Sequence, residues 1–213
     1  MINKMKIVNE FIRQIKKQGY RIELSDNANH HGYIYDDEKK LCILFKNGEI
    51  STNEYFDIRR TLNTVKEYII AFENAEDLKV EGLRDGYKKL MDYNGYVFAM
   101  CETNHEYEFV TWQYSYDGKA VNFGHYFTDY ENAKENMVTR CGLIDKSKMF
   151  TETEMKLIYT NLISYVGLDP NIEYKNEKAI GSVLDKIEDI VPEIVRHEKY
   201  EELELVSDDE LEL

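Results

Sequence analysis

Apolar residues recur every three to four positions in five stretches of the chain and predict a helix at each. We expect helices over about residues 3–18, 55–72, 130–140, 151–166 and 173–197. Ser51 and Thr52 precede the second stretch, where they offer a polar N-terminal cap. Asp129 precedes the third, and Thr151 with Glu154 forms a capping box at the fourth. Long amphipathic helices therefore make up a large part of the fold.

Shorter stretches that alternate or run apolar predict β-strands between the helices. The strands should cover about residues 20–24, 32–35, 41–45, 89–93, 96–102, 106–116 and 119–127. Turn pairs at Asn94-Gly95, Asn104-His105 and Asp117-Gly118 join the last four strands into an antiparallel meander. The fold class is α+β, with antiparallel sheets packed by long helices: an N-terminal αβββα unit followed by a ββββααα unit.

Residues 76–88 are charged and contain two glycines, which favours a boundary between two units. We expect an N-terminal unit over residues 1–75 and a C-terminal unit over residues 82–197. Residues 198–213 then form an acidic tail. With only two prolines in the chain, a long flexible linker is not expected.

The aromatic-rich segment 107–130 contains the strongest hairpin signal, Asp117-Gly118. A two-residue turn there pairs Tyr114 with Val121, Trp112 with Phe123 and Val110 with His125. One side of the hairpin, the predicted core face, then holds Val110, Trp112, Tyr114, Val121, Phe123 and Phe127. The other side, which we expect to face solvent or a partner, holds Thr111, Gln113, Ser115, Ala120 and Asn122, with Phe109 beside Tyr126 at the open end.

This second side contains the candidate binding residues of the hairpin: Phe109, Thr111, Gln113, Asn122 and Tyr126. The chain has 17 tyrosines, and tyrosine is enriched where a surface is both apolar and hydrogen-bonding. Two explanations stay open, because strands themselves favour aromatic residues. The tyrosines belong either to strands alone or to an interface.

Half of the net charge of −14 lies in the tail, where residues 198–213 have a net charge of −7. The tail acids that we consider for binding are Glu201, Glu202, Glu204, Asp208, Asp209 and Glu210. Leucines interrupt them, so the tail is either a frayed end of the last helix or a segment that orders on a partner. The body is mildly acidic and has no basic stripe, which disfavours direct nucleic-acid binding.

The sequence contains no motif that demands a particular chemistry. Walker, G-x-S-x-G, G-x-G-x-x-G and H-E-x-x-H patterns are missing, and Cys42, Cys101 and Cys141 have no metal-binding spacing. We therefore expect no enzyme activity, cofactor or metal. The only acid–base pair to consider is His125 with Asp129, which a structural pairing explains as well. No apolar run spans a membrane and the start is unlike a signal peptide, so we expect a cytoplasmic protein.

Residues 82 to about 194 resemble an uncharacterised family carried on conjugative elements, plasmids and phages of clostridia-like bacteria. The resemblance rests on Glu81-Gly82-Leu83, Gly86-Tyr87-Lys88-Lys89-Leu90, Phe109-Val110-Thr111-Trp112, Gly124-His125-Tyr126-Phe127, Tyr130 with Ala133-Lys134-Glu135, and Arg140 with Gly142-Leu143-Ile144. It covers slightly over half of the chain and implies no catalytic residues. What it implies is a genetic context in which small acidic proteins disarm host defences, as anti-CRISPR proteins do.

Three hypotheses follow. The first is a non-enzymatic protein of a mobile genetic element that binds and inhibits a host defence nuclease, most plausibly a CRISPR effector, by occupying its basic channel. The second is an enzyme or binder of a small molecule or signalling nucleotide at the open end of the hairpin. Its pocket would hold His125, Tyr126, Asp129 and Tyr107 or Phe109, with Arg140 and Lys134 for phosphates. The third is an accessory protein of conjugation or plasmid maintenance.

Overall fold

The computed structural model describes residues 4–52, 55–104, 106–168, 172–191 and 194. Its helices are α1 (Lys4–Lys17), α2 (Phe56–Asn74), α3 (Tyr130–Arg140), α4 (Glu152–Leu168) and α5 (Tyr174–Ile190), with a short 3-10 helix at Lys146–Lys148. Its strands are β1 (Arg21–Leu24), β2 (His30–Asp36), β3 (Lys39–Phe45), β4 (Glu76–Asp77), β5 (Tyr87–Tyr93), β6 (Tyr96–Glu102), β7 (Tyr107–Tyr114) and β8 (Val121–Phe127). The predicted α+β class and the predicted order of elements are confirmed.

Two predicted helix starts are also confirmed, and one is not. The Asp129 side chain accepts a hydrogen bond from the Asn132 amide, and Thr151 with Glu154 forms the expected capping box. The polar cap expected before α2 is wrong. Ser51 Oγ instead accepts a hydrogen bond from the Ile43 amide at 2.9 Å, so this hydroxyl serves β3 rather than the helix.

The strands form two antiparallel sheets. One has the order β1-β2-β3 and the other has the order β4-β5-β6-β7-β8. The short strand β4, which pairs with β5, makes the second sheet five-stranded rather than the predicted four. The following loop continues past the sheet, and the Glu81 amide donates to the Lys119 carbonyl at 2.7 Å. The loop thereby links β4 to the tip of the β7–β8 hairpin.

The largest hydrophobic core lies against one face of the five-stranded sheet. Helices α1, α2 and α3 bury their apolar sides there, and strands β2, β3, β6 and β7 contribute to it. Phe11, Ile69 and Phe109 are among its fully buried side chains. Three aromatic rings meet at its centre, where Tyr68 and Tyr130 each lie 5.3 Å from Phe109 between ring centroids. This core contains residues from both sides of the predicted boundary at 76–88.

A second, smaller core lies against the opposite face of the same sheet. Tyr87, Val97, Ala99, Cys101, Val110 and Trp112 form it. Leu78 and Leu83 of the loop after β4 cover it. Because both faces of the sheet are covered, β6 is almost entirely buried and reads as a continuous apolar run.

Contacts divide the chain into two compact units, Met1–Ile144 and Asp145–Leu213. In the second unit, α4 and α5 pack through a third cluster of Tyr159, Ile187, Val191 and Ile194. The predicted limits of the units at residues 75, 82 and 197 stay predictions. The predicted tail, residues 198–213, lies outside the described residues, as does the bend expected at Pro192.

Candidate functional site

The two ends of β8 differ in how they pair with β7. At the hairpin end, Tyr114 pairs with Val121 and Gln113 with Asn122, as predicted. Beyond these pairs the register shifts by one residue, and Thr111 pairs with His125. The predicted pairs Trp112 with Phe123 and Val110 with His125 are therefore wrong. An extra residue has been inserted into β8, which makes a β-bulge at Phe123 and Gly124.

Two backbone requirements fix this bulge in place. Phe123 has a φ of +52°, in the left-handed region that a bulky side chain rarely enters. Gly124 packs directly on the indole of Trp112, because a Cβ added at Gly124 would lie only 2.4 Å from Trp112 Nε1. The glycine lets the edge strand approach the buried tryptophan, and the bulge absorbs the extra residue.

A partly buried polar network anchors the bulge to α3. Thr111 Oγ1 donates to Asn136 Oδ1 at 2.6 Å. Arg140 Nη1 donates to both the carbonyl and the hydroxyl of Thr111 at 2.9 Å, and Nη2 donates to the Phe123 carbonyl at 2.8 Å. His125 Nδ1 lies 3.3 Å from Asn136 Nδ2. Since one guanidinium contacts β7 and the bulge together, the end of α3 sets the backbone path of β8.

The side of the hairpin that was expected to face solvent is mostly covered by the protein itself. Thr111 is fully buried under α3, and Phe109 is only 1% exposed within the main core. Gln113 is half-buried, whereas Asn122 is exposed. Of the candidate hairpin residues, only Asn122 and Tyr126 are available to a partner on the folded surface. The expectation failed because a sheet face with small polar residues can equally receive a helix that supplies matching polar groups.

The predicted core face is confirmed for four residues and wrong for two. Val110 and Trp112 lie in the second core, with Tyr114 and Val121 packed against it. Phe127 instead pairs with Phe109 and packs against the main core. Phe123 is 74% exposed. Both differences follow from the one-residue shift, since a single inserted residue reverses the alternation of faces beyond it.

The bulged strand exposes four residues along the sheet edge, on both faces of the sheet, and we name them the edge patch: Asn122, Phe123, His125 and Tyr126. Tyr126 is 60% exposed, yet its ring packs edge-on against Trp112 with the centroids 6.0 Å apart. β8 is the last strand of its sheet, so no other strand of the described chain pairs with its outer edge. The edge patch therefore combines aromatic side chains with the edge of a sheet, the features that strand-adding partners use.

Acidic side chains lie at both ends of the edge patch. Asp117 and Glu81 are exposed at the hairpin end, and Asp129 and Glu131 follow β8 at the start of α3. Hydrogen bonds from the Ser115 hydroxyl and then from the Lys119 amide lower the pKa of Asp117. Asp117 is thus firmly ionised at neutral pH, and the patch has a negative border that complements a basic surface.

The pocket expected at the open end of the hairpin is divided by the fold. Phe109 and Asp129 line a cleft of about 550 Å³ between α1, α2 and the start of α3, but His125 and Tyr126 do not. Arg140 is committed to the bulge, and Lys134 pairs with Glu67 and Glu131. His125 contacts Asn136 rather than Asp129, whose carboxylate caps α3. The proposed phosphate-binding cations therefore do not line this cleft.

At the α1 side of this cleft, a buried carboxylate is fully engaged in structural bonds. Glu10 accepts hydrogen bonds from Tyr68 Oη at 2.5 Å, from Gln14 Nε2 at 2.7 Å and from both Arg13 Nε and Nη2. Burial, together with the neighbouring Glu10 carboxylate, raises the pKa of Tyr68 well above its usual range. This network joins α1 to α2 and engages the Glu10 carboxylate in structural hydrogen bonds.

Residues that would hold a metal are not brought together in the part of the chain that the structure describes, where no three His, Cys, Asp or Glu side chains cluster. The three cysteines are buried as free thiols, and burial raises the pKa of Cys42 to about 11. No described helix is both long and apolar enough to cross a membrane. The tail candidates Glu201, Glu202, Glu204, Asp208, Asp209 and Glu210 lie outside the described residues.

Sequence reasoning missed Phe123 as a surface residue and Arg140 as the anchor of the bulge. One signal was present, since an isolated glycine such as Gly124 inside a strand pattern indicates a bulge or a close backbone approach. Nothing in the sequence showed which partner that glycine would touch.

Comparisons with known proteins add no relationship to this geometry: no protein-family model matches the chain, and no curated protein or solved structure is found to be similar to it.

Proposed function

We propose that this protein is a non-enzymatic inhibitor that binds another protein through the edge patch. The observation that supports this most directly is a pair of exposed aromatic side chains, Phe123 and Tyr126, on a strand whose backbone is held by the Arg140 network. Exposed aromatic anchors that need little ordering are the usual energetic centre of a protein interface. The tyrosine ring is already packed on Trp112, so binding costs little side-chain entropy.

The partner that fits this surface is a basic protein. The chain has a net charge of −14, and Glu81, Asp117, Asp129 and Glu131 border the edge patch. We infer a host defence nuclease, most plausibly a CRISPR effector, whose nucleic-acid channel is occupied by this acidic surface. The origin in a mobile genetic element and the cytoplasmic location belong to the same proposal. They rest on composition and on the resemblance of residues 82–194.

Interference assays in cells that carry different defence systems test the proposal. Expression of the full chain should restore infection or plasmid uptake against one system. Phe123→Asp with Tyr126→Asp should abolish that protection, whereas Leu24→Asp, an equally exposed position on β1, should keep it. If no system is inhibited, the inhibitor function is wrong. If protection survives in the double variant, the contact surface lies elsewhere.

The acidic tail is tested separately by truncation after His197. The truncation removes half of the net charge without touching any described core residue. If the tail contacts the basic partner, truncation should weaken binding severalfold and flatten its dependence on salt, because screened charge attraction is lost. Unchanged binding at both low and moderate salt would exclude the tail and leave the edge patch as the contact surface.

Binding of a small molecule is a second candidate function, supported by the cleft that Phe109 and Asp129 share. Of its charged side chains, Arg60 is positive while Asp57, Asp129 and Glu131 are negative. That balance suits a neutral or cationic ligand better than a nucleotide. A thermal-shift screen of nucleotides and polyamines should therefore raise the melting temperature only with the cationic compounds, and a flat response to both would remove this candidate.

A further inference from the structure

The backbone of Tyr126 directs its hydrogen-bonding groups away from β7. The Tyr114 amide donates to the Gly95 carbonyl at 2.8 Å, which shows that Tyr114 bonds toward β6. Val110 lies four residues earlier on the same strand, and the pairing with β6 is unshifted there, so Val110 also bonds toward β6. Tyr126 pairs with Val110, and this pair is therefore of the type that exchanges no hydrogen bonds. The amide and carbonyl of Tyr126 point to the outer edge of the sheet.

The outer edge of the hairpin already accepts a backbone partner at one position. Glu81, in the loop after β4, forms a parallel bridge with Ala120, and its amide donates to the Lys119 carbonyl at 2.7 Å. Among the described residues, no bridge continues this pairing along β8. The edge can therefore form strand hydrogen bonds, and its part around Tyr126 is left for a partner chain.

Strand β8 lacks the charged side chains that usually protect a sheet edge from pairing. The edge strand β1 of the other sheet has Arg21 and Glu23, and the edge strand β4 consists of Glu76 and Asp77 alone. Residues 120–128, in contrast, contain no Asp, Glu, Lys or Arg. An unprotected edge is an aggregation hazard, so the missing charges favour a binding role for β8.

The bulge restricts where a strand can be added. Phe123 and Gly124 interrupt the alternation, and Arg140 already bonds to the Phe123 carbonyl. Regular pairing with β7 resumes over residues 125–127, with Tyr126 in the middle. Since a bulge disfavours casual edge-to-edge pairing, the site selects a strand that fits this short regular part. The exposed rings of Phe123 and Tyr126 are then available to its side chains.

Charge identifies an extended basic segment as the occupant. Glu81 and Asp117 lie at the hairpin end of β8, and Asp129 and Glu131 follow its other end. A second copy of this chain, in the usual antiparallel edge pairing, would bring the acidic end of one β8 against the acidic end of the other. Like charges oppose that contact, and an uncharged segment leaves the acids without partners. Arg or Lys at both ends of a foreign segment complements them.

We propose that the partner docks by strand addition, in which an extended segment with basic residues at both ends pairs with β8 around Tyr126. The inference rests on the proposed function, because it specifies how the same edge patch recognises its protein partner. Main-chain bonds to Tyr126 supply affinity, and the rings of Phe123 and Tyr126 select apolar side chains. The seven residues of β8 extend over about 23 Å, so a segment of similar length covers the strand.

A synthetic peptide tests strand addition without knowledge of the partner. The parent peptide has about nine residues, with valine alternating with threonine and arginine at both ends. A control peptide has N-methyl groups on two successive central residues, so neither of its edges can pair. Added to the full chain at about 1 mM, the parent should slow amide exchange of Tyr126 about fivefold or more in NMR spectra. The methylated peptide, and a peptide with glutamate in place of arginine, should leave that rate unchanged.

A matched pair of protein variants places the peptide on β8. Phe123→Lys adds a positive charge beside the proposed strand and should weaken binding of the parent peptide about tenfold or more. Leu24→Lys changes an equally exposed position on β1 and should match the wild type. Both side chains are mostly in solvent, so the fold should persist.

Three results would overturn strand addition. The first is a parent peptide that leaves Tyr126 exchange unchanged, and the second is a methylated peptide that slows this exchange as much as the parent. The third is Tyr126 exchange that slows with protein concentration alone, which would identify a second copy as the occupant.

Strand addition and the inhibitor function fail in different ways. If no defence system is inhibited but the parent peptide slows Tyr126 exchange, the edge binds strands and the inhibitor function is wrong. If a system is inhibited through the edge patch but the methylated peptide acts like the parent, the inhibitor function stands and strand addition is wrong.

Discussion

Strand β7 pairs with a neighbour on each side, and the two pairings have different outcomes. With β6 it forms seven consecutive pairs from Tyr96↔Gln113 to Glu102↔Tyr107 without a shift. With β8 the pairing is interrupted by the bulge at Phe123 and Gly124. The regular side produces a buried strand, whereas the interrupted side produces an exposed one.

The difference shows how one inserted residue converts a core strand pattern into a surface. Both strands contain aromatic residues, two in β6 and three in β8, although β6 has more apolar residues in all. In β6 both faces are covered, so its side chains stabilise the two cores. In β8 the bulge turns Phe123 outward and moves Phe127 to the main core. Local backbone geometry, rather than hydrophobicity, decides which aromatic side chains remain available for binding.

The largest effect on stability should come from replacing Phe109 and Phe123 by alanine, one at a time. Phe109→Ala removes a fully buried ring from the main core and should lower the free energy of unfolding by about 4 kcal/mol. Phe123→Ala removes an exposed ring and should change it by less than about 0.5 kcal/mol. Urea denaturation measures both, and equal losses would mean that Phe123 is packed in the core after all.

The next largest effect should follow from substituting the glycine at the bulge. Gly124→Ala places a methyl group against the Trp112 indole, which is buried in the second core, and should cost about 3 kcal/mol. Gly95→Ala, in the turn before β6, meets no atom within 4 Å and should cost only about 1 kcal/mol for its positive φ. Similar losses at the two glycines would show that the bulge does not depend on this contact.

Substitution of Arg140, the anchor of the bulge, should have a smaller effect on stability but should clearly change the local structure of β8. Arg140→Met deletes three hydrogen bonds to Thr111 and Phe123 and should cost about 2 kcal/mol. In a double-mutant cycle with Thr111→Val, the two losses should be non-additive by about 1 kcal/mol. Amide exchange should also become faster in β8 than in β6. If the two losses of stability are additive and amide exchange in β8 is unchanged, α3 does not hold the bulge in place.

The smallest effect at neutral pH concerns the second core. Burial, and then the hydrogen bond to Glu108, raises the pKa of Tyr87 to about 12 from an ordinary value of 10.0. A raised pKa means that the neutral phenol stabilises the fold below pH 10 and that this contribution disappears as the pH rises toward 12. Tyr87→Phe should cost less than about 1 kcal/mol at pH 7. It should also flatten the loss of stability between pH 10 and 12, measured by urea denaturation at several pH values.

The alternation of apolar residues determined most of the secondary structure. Val97, Ala99 and Cys101 alternate with Phe98 and Met100, so β6 has an apolar side chain for each core. Helices α3 and α4 begin next to their predicted capping residues. The Asp117-Gly118 turn also fixed the first two pairs of the β7–β8 hairpin. These features depend on neighbours in the chain, and neighbours are visible in a sequence.

Only the tertiary structure decided which face of the hairpin is buried and where its surface lies. Thr111 is polar, but α3 brings Asn136 and Arg140 to its hydroxyl, so burial leaves no bond unmade. The β-bulge includes Gly124, whose backbone packs directly on the Trp112 indole. Asn136 is 25 residues from Thr111 along the chain, and Gly124 is 12 residues from Trp112, so both contacts join distant positions. A local pattern predicts that a side chain is polar or small, whereas the contact that gives it a role forms only when distant segments pack.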